Sequence, residues 1–333
     1  MISIQQIAKR LGVSTATVSR ALDPRYAHKV RPETRKKILD LCNEKGYRPT
    51  ITGRSFVTGK TYKIGVILGE IEKDLGSPLF GLFMRAFCRS LQMQGYTATI
   101  LYAGIDDNLT DNTIEFLQSS VADAYLLGSS FLNPKLEYAV KQSRCPIVTL
   151  KQTQSNIDGI DYVYRNLMPA YQQAWSCVRK SELKNTAFIH GLNDDSKTSA
   201  LRKTAPDGAC IDDITLSHNF RYRDLDAFSE IYEMLDKLQQ YSVIWCASDI
   251  IAFNICKAFC HSGLAKDKTP RVLGFDNAEE TIQDTVKPFL TTIDPCWDII
   301  GQTAAELLLN RINKKDTPSE IGVEAKLILR DTF

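Results

Sequence analysis

The sequence predicts an α/β protein with a small three-helix head at its amino terminus and a larger body of two doubly wound parallel-sheet lobes. Two observations predict the head: a pair of short amphipathic helices joined by a glycine, and a concentration of positive charge over the same residues. A third predicts the body, because apolar strand-like runs alternate with helical segments from residue 63 to residue 275. A chain of 333 residues is long enough for two or three domains that each bury a core.

The first 22 residues carry the signals of a helix-turn-helix. Ser3 and Gln6 are spaced as a capping box, in which each side chain accepts a hydrogen bond from the backbone N–H of the other. Gly12 supplies the left-handed residue that ends this helix, and Ser14 caps a second helix after about three residues. Such a pair can place its second helix in a DNA major groove, although an ordinary helical hairpin has the same spacing. The second helix presents outward Ser14, Thr15, Ala16, Thr17, Ser19 and Arg20.

A third helix is predicted over residues 33–45, after Pro32 and before Gly46. Residues 1–60 hold 13 Lys and Arg against 4 Asp and Glu, whereas the rest of the chain holds 28 against 35. A basic head on an acidic body favours a polyanionic partner at one end of the molecule only. The alternative is a basic domain that is merely solvated.

The composition favours a cytoplasmic protein in a reducing compartment. The amino terminus has no apolar signal-peptide core, and no run reaches the ~18–20 apolar residues of a membrane span. The nine cysteines are scattered, odd in number and without a Cys-x-x-Cys pair, which is typical of buried free thiols. Cys256, Cys260 and His261 could share one region of a helix, but we expect no metal site and no cofactor.

The body alternates strands and helices, which predicts right-handed βαβ units and parallel sheets covered on both faces. Predicted strands lie at 63–69, 97–103, 124–128, 146–150, 162–164, 186–190, 213–216, 242–246 and 271–275. This number of strands is large for one sheet, so we expect two similar lobes with the break near residue 160. Ligands of such sheets bind beyond the carboxyl ends of the strands, which predicts a site in the cleft between the lobes.

The chain as a whole resembles the LacI/GalR family of bacterial transcription regulators. The motifs that carry this resemblance are Ile7-Ala8, Gly12-Val13-Ser14, Thr17-Val18-Ser19-Arg20, Thr34-Arg35, Gly46-Tyr47-Arg48-Pro49, Ile64-Gly65-Val66, Ser77-Pro78-Leu79-Phe80, Gly274-Phe275-Asp276 and Leu290-Thr291-Thr292-Ile293. The resemblance implies a DNA-binding head, a hinge helix and a body like the periplasmic sugar-binding proteins. It also implies a homodimer on a pseudo-palindromic operator, controlled by a small-molecule effector.

The resemblance implies a division of the chain with three crossovers between the lobes, near 160, 291 and 322. The expected parts are a DNA-binding domain (1–47), a hinge segment (48–60), a first lobe (61–160 with 294–320) and a second lobe (161–290 with 322–333). The tetramerising tail of one branch of the family should be absent, because the sequence shows no leucine heptad before Phe333.

Within the head, the family's base-reading positions match Thr15, Ala16 and Arg20. Arg20 can contact guanine O6 and N7 in a bidentate manner, or it can act as a phosphate clamp. Register-fixing phosphate contacts are expected from Ser3, Ser14, Thr17 and Ser19.

The hinge resembles the family segment that inserts a leucine into the minor groove, and the matching residue is Phe56. A phenylalanine wedge can also unstack a base step, although the segment could be a linker that never inserts. Thr50 and Gly53 replace the usual asparagine and alanine, and Arg54 matches the arginine of the motif. Because glycine weakens a helix, we expect the hinge to fold only upon DNA.

In the body, the positions that match the family's effector cleft are Phe80, Ser129, Lys151, Arg165, Thr198, Arg202, Phe220, Asp249 and Asp276. Arg202 and Asp276 suit the hydroxyl groups of a polyol. Lys151 and Arg165 stand where many relatives carry acidic residues, which suggests that the ligand is a sugar acid or a phosphorylated sugar. The alternative is that the two basic residues are surface substitutions with no role in binding.

Three other classes of protein are alternatives to a transcription regulator. An enzyme is disfavoured because the sequence has no Gly-x-Ser-x-Gly elbow, P-loop or His-Glu-x-x-His motif, and its four histidines are scattered. A transport binding protein is disfavoured by the basic head and the missing signal peptide. An architectural DNA protein would need no ligand-binding body.

Overall fold

A computed structural model describes residues 2–23, 26–48, 53, 55, 58–68, 78–103, 107–119, 121–128, 134–151, 159–181, 185–191, 201, 204–207, 209–217, 226–265, 268–282 and 287–333. These residues form two compact units, Met1–Tyr62 and Lys63–Phe333. None of the described helices is long and apolar enough to cross a membrane.

The first unit contains the three predicted helices, α1 (Ile4–Leu11), α2 (Thr15–Leu22) and α3 (Pro32–Glu44), with a 3-10 turn at Ala27–Lys29. Their shared core consists of the fully or nearly buried side chains of Ile7, Ala8, Val18, Ala21, Val30, Ile38 and Cys42. Arg35 of α3 is half-buried, and its Nε donates to the carbonyl oxygen of Ala21, 3.2 Å away. That bond ties α3 to the end of α2.

The turn between α1 and α2 has the predicted chemistry. Ser3 N donates to Gln6 Oε1 at 2.9 Å and Gln6 N donates to Ser3 Oγ at 3.3 Å, so both halves of the capping box form. Gly12 adopts the left-handed conformation (φ 63°), and Thr17 N donates to Ser14 Oγ at 3.1 Å. The helix-turn-helix is therefore confirmed.

In the hinge segment, the described residues Gly53, Ser55 and Thr58 are helical, and Gly59 N donates to Ser55 O at 2.8 Å. Thr50, Arg54 and Phe56 lie outside the described residues. The expectation that this segment folds only upon DNA concerns the protein in solution and stays a prediction.

The second unit alternates strands and helices as the sequence predicts over residues 63–275, and it adds strands at Thr291–Asp294 and Glu320–Glu324 that the sequence pattern does not predict. Its strands are β1 (Lys63–Leu68), β2 (Thr97–Tyr102), β3 (Ala124–Leu127), β4 (Ile147–Lys151), β5 (Asp161–Asn166), β6 (Thr186–His190), β7 (Ile211–Thr215), β8 (Val243–Cys246), β9 (Arg271–Phe275), β10 (Thr291–Asp294), β11 (Glu320–Glu324) and β12 (Lys326–Ile328). Its helices are α4 (Pro78–Met93), α5 (Asp107–Gln118), α6 (Pro134–Lys141), α7 (Met168–Lys180), α8 (Asp226–Glu233), α9 (Leu235–Leu238), α10 (Asp249–His261), α11 (Glu279–Ile282) and α12 (Trp297–Ile312).

These strands form two six-stranded sheets, which confirms the two-lobed body. The first sheet has the order β11-β5-β4-β3-β1-β2 and is parallel throughout. The second has the order β12-β10-β9-β8-β6-β7 and is parallel except for the antiparallel pair β10–β12.

The predicted break between the lobes near residue 160 is wrong by one strand. β5 pairs with β4 in the first sheet, with Val148 opposite Asp161, instead of opening the second lobe. Tyr162 is buried in the same apolar core as Tyr125, which holds β5 in this lobe. The alternation of strands and helices does not report which sheet a strand joins, and this is why the sequence misplaced the break.

The chain changes lobes after β5, after β10 and after β11. The crossovers lie at Leu167, at residues 295–296 and at Ala325, a few residues beyond the predicted positions near 160, 291 and 322. Ala325 N donates to Asn166 O at 3.0 Å, so the crossover at Ala325 is hydrogen-bonded to the end of β5, next to the crossover at Leu167. After the middle crossover, α12 packs on α4 and on strands of the first sheet.

Candidate functional site

The outer face of α2 is available for a partner. Thr15, Ala16, Ser19 and Arg20 are exposed, whereas Val18 is fully buried. The fixed turn at Gly12 and the core contacts of α2 hold this face on a rigid support. The structure thus brings the predicted base-reading residues together on one exposed surface, as a helix that enters a major groove requires.

Three of the four predicted phosphate-binding hydroxyls, those of Ser3, Ser14 and Thr17, already form hydrogen bonds at the helix starts, whereas Ser19 is exposed. Ser14 Oγ accepts from Thr17 N and lies 2.9 Å from Thr17 Oγ1, and Ser3 Oγ accepts from Gln6 N. A hydroxyl that accepts one hydrogen bond can still donate its own hydrogen to a phosphate oxygen. Because the hydroxyl groups of Ser14 and Thr17 are hydrogen-bonded to each other, only one of their two hydroxyl hydrogens remains to bind a phosphate.

Of the predicted effector residues, Ser129, Thr198, Arg202 and Phe220 lie outside the described residues. Lys151 is the last residue of β4, and its register partner is Tyr164 in β5. Phe80 lies in the first turn of α4, is half-buried and packs on Phe83 with ring centroids 6.0 Å apart. A Cβ placed on Gly128, just beyond β3, would lie 3.9 Å from the Phe80 ring. Phe80 therefore lies at the carboxyl edge of the first sheet.

Arg165 lies near the end of β5, at the same edge of the first sheet. Its guanidinium carbon is 5.3 Å from the ring centroid of Trp297, the first residue of α12, which is within cation–π range. The indole Nε1 of Trp297 is buried and has no hydrogen-bond partner among the residues that the structure describes. Trp297 could not be predicted from the sequence, because no local pattern distinguishes it from a core aromatic residue.

Asp249 is completely buried at the start of α10, and its two carboxylate oxygens are bound within the protein. Thr292 Oγ1 donates to Oδ1 at 2.6 Å, and the N–H of Ala278 donates to Oδ2 at 2.7 Å. Burial raises the pKa of this carboxyl to about 7; the Thr292 hydrogen bond opposes the rise and the nearby Asp276 adds to it. Asp249 therefore holds the segment after β9 in place, and its predicted contact with an effector stays a prediction.

The segment after β9 has an unusual backbone. Asp276 and Asn277 both have positive φ values, 111° and 51°, in a region that L-residues rarely adopt. Asp276 N donates to Ile293 O at 2.9 Å, and Asn277 N donates to Thr292 Oγ1 at 3.3 Å. Backbone strain of this kind persists where surrounding contacts enforce it, and it is frequent at ligand sites. It holds Asp276 at the carboxyl edge of the second sheet.

Asn277 links this segment to two other parts of the chain. Its Oδ1 accepts from Arg330 Nη2 at 2.7 Å, and its Nδ2 donates to Asp294 Oδ2 at 3.0 Å. Arg330 also donates through Nη1 to Leu290 O at 2.8 Å. None of the three side chains of Asn277, Asp294 and Arg330 was predicted from the sequence. The only available signal was an asparagine directly after Asp276, since asparagine tolerates the left-handed region.

The thiols of Cys256 and Cys260 do not form a metal centre with His261. Both cysteines line a groove of about 310 Å³ at the amino end of β9, whereas the His261 ring packs on Phe228 with centroids 5.5 Å apart. Burial raises the pKa of Cys256 to about 12, so that thiol stays protonated. Among the described residues there is no group of three or more His, Cys, Asp or Glu that could hold a metal ion.

A helix-turn-helix with an exposed second helix, joined to a two-lobed α/β body, indicates a DNA-binding protein with a separate second domain. Comparison with known families agrees: residues 3–50 match the model of the bacterial regulatory proteins of the lacI family, and residues 176–333 match the periplasmic binding protein-like domain. The amino-terminal domain therefore belongs to the LacI family, and the chain is a DNA-binding transcription regulator.

Individual relatives extend this similarity along the whole chain. The HTH-type transcriptional regulator RegA of Clostridium saccharobutylicum is 27% identical, and the alignment covers 99% of this chain and 98% of RegA. The lac repressor dimer bound to operator and the anti-inducer ONPF has a TM-score of 0.73 at 17% identity, covering 99% and 98% of the two chains. The complex of the regulator CelR with cellobiose has a TM-score of 0.65 at 19% identity, covering 100% of both chains.

Proposed function

We propose that this regulator is a repressor that binds a pseudo-palindromic operator as a homodimer. The exposed face of α2 supports this proposal, since it carries Arg20 on the basic head of a chain whose remainder is acidic. A second copy bound to the same duplex would double the number of phosphate and base contacts, and a two-fold operator would match the two-fold symmetry of the dimer.

Selection of bound fragments from the source genome by the purified full-length chain tests this function. Arg20→Ala should relax operator preference, because a bidentate contact to guanine contributes about 1–3 kcal/mol of discrimination. Arg271→Ala, which changes an exposed arginine of the body, is the control and should leave the selected sequences unchanged. Equal weakening on all sequences would assign Arg20 to phosphate contact, and no preference for any palindrome would contradict operator recognition.

The hinge contribution can be measured on the selected operator. Phe56→Ala should weaken operator binding, because a wedge that unstacks a base step permits further contacts with the bent duplex. Full retention of affinity would show that the segment is a linker that does not insert.

We further propose that the effector is a small anionic carbohydrate, either a sugar acid or a sugar phosphate. The observation that supports this class is the Arg165 guanidinium at the carboxyl edge of the first sheet. It packs on Trp297, which directly follows the crossover at residues 295–296. Aromatic faces pack on the apolar faces of sugar rings, and a guanidinium binds carboxylate or phosphate oxygens in a bidentate manner. Asp276 would accept hydrogen bonds from ligand hydroxyl groups.

A calorimetric screen of D-glucuronate, D-galacturonate and glucose 6-phosphate against glucose and galactose tests the ligand class. Arg165→Met should abolish the preference for anions, and Arg271→Met is the matched control with an unchanged preference. Binding of neutral sugars only would contradict the proposal. Operator affinity measured with and without the bound ligand then decides whether that ligand is an inducer or a corepressor.

A further inference from the structure

The side chain of Asn277 has a single orientation that satisfies its neighbours. Arg330 can only donate hydrogen bonds and the Asp294 carboxylate can only accept them. The amide oxygen must therefore face Arg330 and the amide nitrogen must face Asp294, as the distances of 2.7 and 3.0 Å describe. A contact defined this strictly by polarity fails when one partner changes its donor or acceptor character.

The second carboxylate oxygen of Asp294 holds the crossover between the lobes. Oδ1 accepts from the N–H of Cys296 at 2.7 Å, a side-chain-to-backbone turn of the kind that aspartate favours. Cys296 is buried in the left-handed region (φ 58°, ψ 54°) and directly precedes α12. One carboxylate thus joins the segment that carries Asp276 to the residue at which the chain passes from the second lobe to the first.

We propose that the Asn277–Asp294 contact couples the segment after β9, which carries Asp276, to the crossover at residues 295–296. A ligand bound at Asp276 would then act on this connection between the lobes. The left-handed residues at both ends of this contact are disfavoured conformations held by hydrogen bonds. A change at one end therefore releases or restores the conformation at the other end. The inference rests on the proposed function for the ligand, whereas the coupling can be measured without a ligand.

A pair of polarity-swapping variants isolates this contact. Asn277→Asp keeps an acceptor for Arg330 but sets a carboxylate against Asp294, and Asp294→Asn keeps an acceptor for Cys296 but sets one amide nitrogen against another. In the double variant the new amide at position 294 can donate to the new carboxylate at position 277, so every hydrogen bond is restored. Lys314→Gly is the control, because it changes an exposed left-handed residue (φ 54°) outside this set of contacts.

Hydrogen–deuterium exchange of the full-length protein in the peptide 294–299 is the measurement. Each single variant should exchange about tenfold faster than the parent there, and the double variant should return to within about twofold. The control should exchange at the parental rate. Single variants that exchange like the parent, or a double variant as fast as the singles, would overturn the coupling.

The same measurement with D-glucuronate, D-galacturonate or glucose 6-phosphate separates the coupling from the ligand class. A compound that binds should slow exchange in this peptide in the parent and the double variant, but not in the single variants. Equal protection in all four proteins would overturn the coupling. If none of the three compounds binds the parent, the proposed ligand class fails, and the exchange of the ligand-free proteins still decides the coupling.

Discussion

Replacing Gly274 with alanine tests whether Asp249 and the strand that leads to Asp276 are packed too closely to admit one methyl group. A Cβ on Gly274 would collide with Asp249 Oδ1, and it would lie 3.2 Å from the carboxylate carbon and 3.3 Å from the Cβ of Ala252. Asp249 cannot swing away freely, because Thr292 and the backbone of Ala278 hold its two oxygens. The added methyl group must therefore break a buried hydrogen bond or push α10 away from β9.

The expected cost follows from these two terms. A buried hydrogen-bonding group left without its partner costs about 1–3 kcal/mol, and overpacking of a dense core costs about 1–3 kcal/mol. Gly274→Ala should therefore lower the free energy of unfolding of the body by about 2–5 kcal/mol. For a unit of this size the melting temperature should fall by roughly 5–15 °C.

Urea and thermal unfolding of the parent, the two single variants and the double variant Gly274→Ala/Asp249→Ala measure the coupling. Once the carboxylate is removed, the added methyl group should cost less than about 1 kcal/mol, so the two changes should be strongly non-additive. Gly81→Ala is the control: Gly81 is exposed on α4 with no atom within 4 Å of a new Cβ, and alanine there should stabilise the helix by about 0.5–1 kcal/mol. Additive effects at Gly274 and Asp249 would refute this account of the packing.

Three further outcomes are expected. Because burial raises the pKa of Asp249 from 3.8 to about 7, the native state binds its proton more tightly than the unfolded chain does. The free energy of unfolding should decline by on the order of 2–4 kcal/mol as pH rises from 4 through 7, and Asp249→Asn should flatten this slope in pH-dependent urea titrations. Gly301→Ala would drive a methyl group into the backbone of Phe83, so α12 should separate from α4; a melting temperature within about 1 °C of the parent would contradict this. Arg311→Lys should cost about 1–2 kcal/mol in chemical unfolding, because lysine cannot reproduce the bidentate contact with Asp161 at 2.6 and 3.0 Å; an unchanged midpoint would argue against it.

The helix-turn-helix could be predicted from the sequence because each of its signals is local. The Ser3–Gln6 capping box, the left-handed Gly12 and the Ser14 cap each depend on residues no more than three positions apart. The alternation of strands and helices in the body is likewise set by the apolar pattern of each segment. These features follow from backbone chemistry that does not require the rest of the chain.

The candidate site was predicted less completely, because side chains that are distant in sequence form it. Arg165 was predicted but its contact with Trp297 was not, since 132 positions separate them and only the middle crossover, at residues 295–296, brings α12 to β5. Asp249 was predicted from its matching position, but its hydrogen bonds with Thr292 and Ala278 were not. A sequence pattern cannot reveal whether a carboxylate faces a cleft or is bound by the protein itself.

The sequence by itself determined the head, the order of the elements and the residue types available at each strand end. Only the tertiary structure decided that β5 belongs to the first sheet and that Asp294 joins Asn277 to the crossover. The physical reason is that local hydrogen bonding and side-chain periodicity act over a few residues. Sheet membership and the burial of a charge are decided by contacts among elements that meet only in the folded chain.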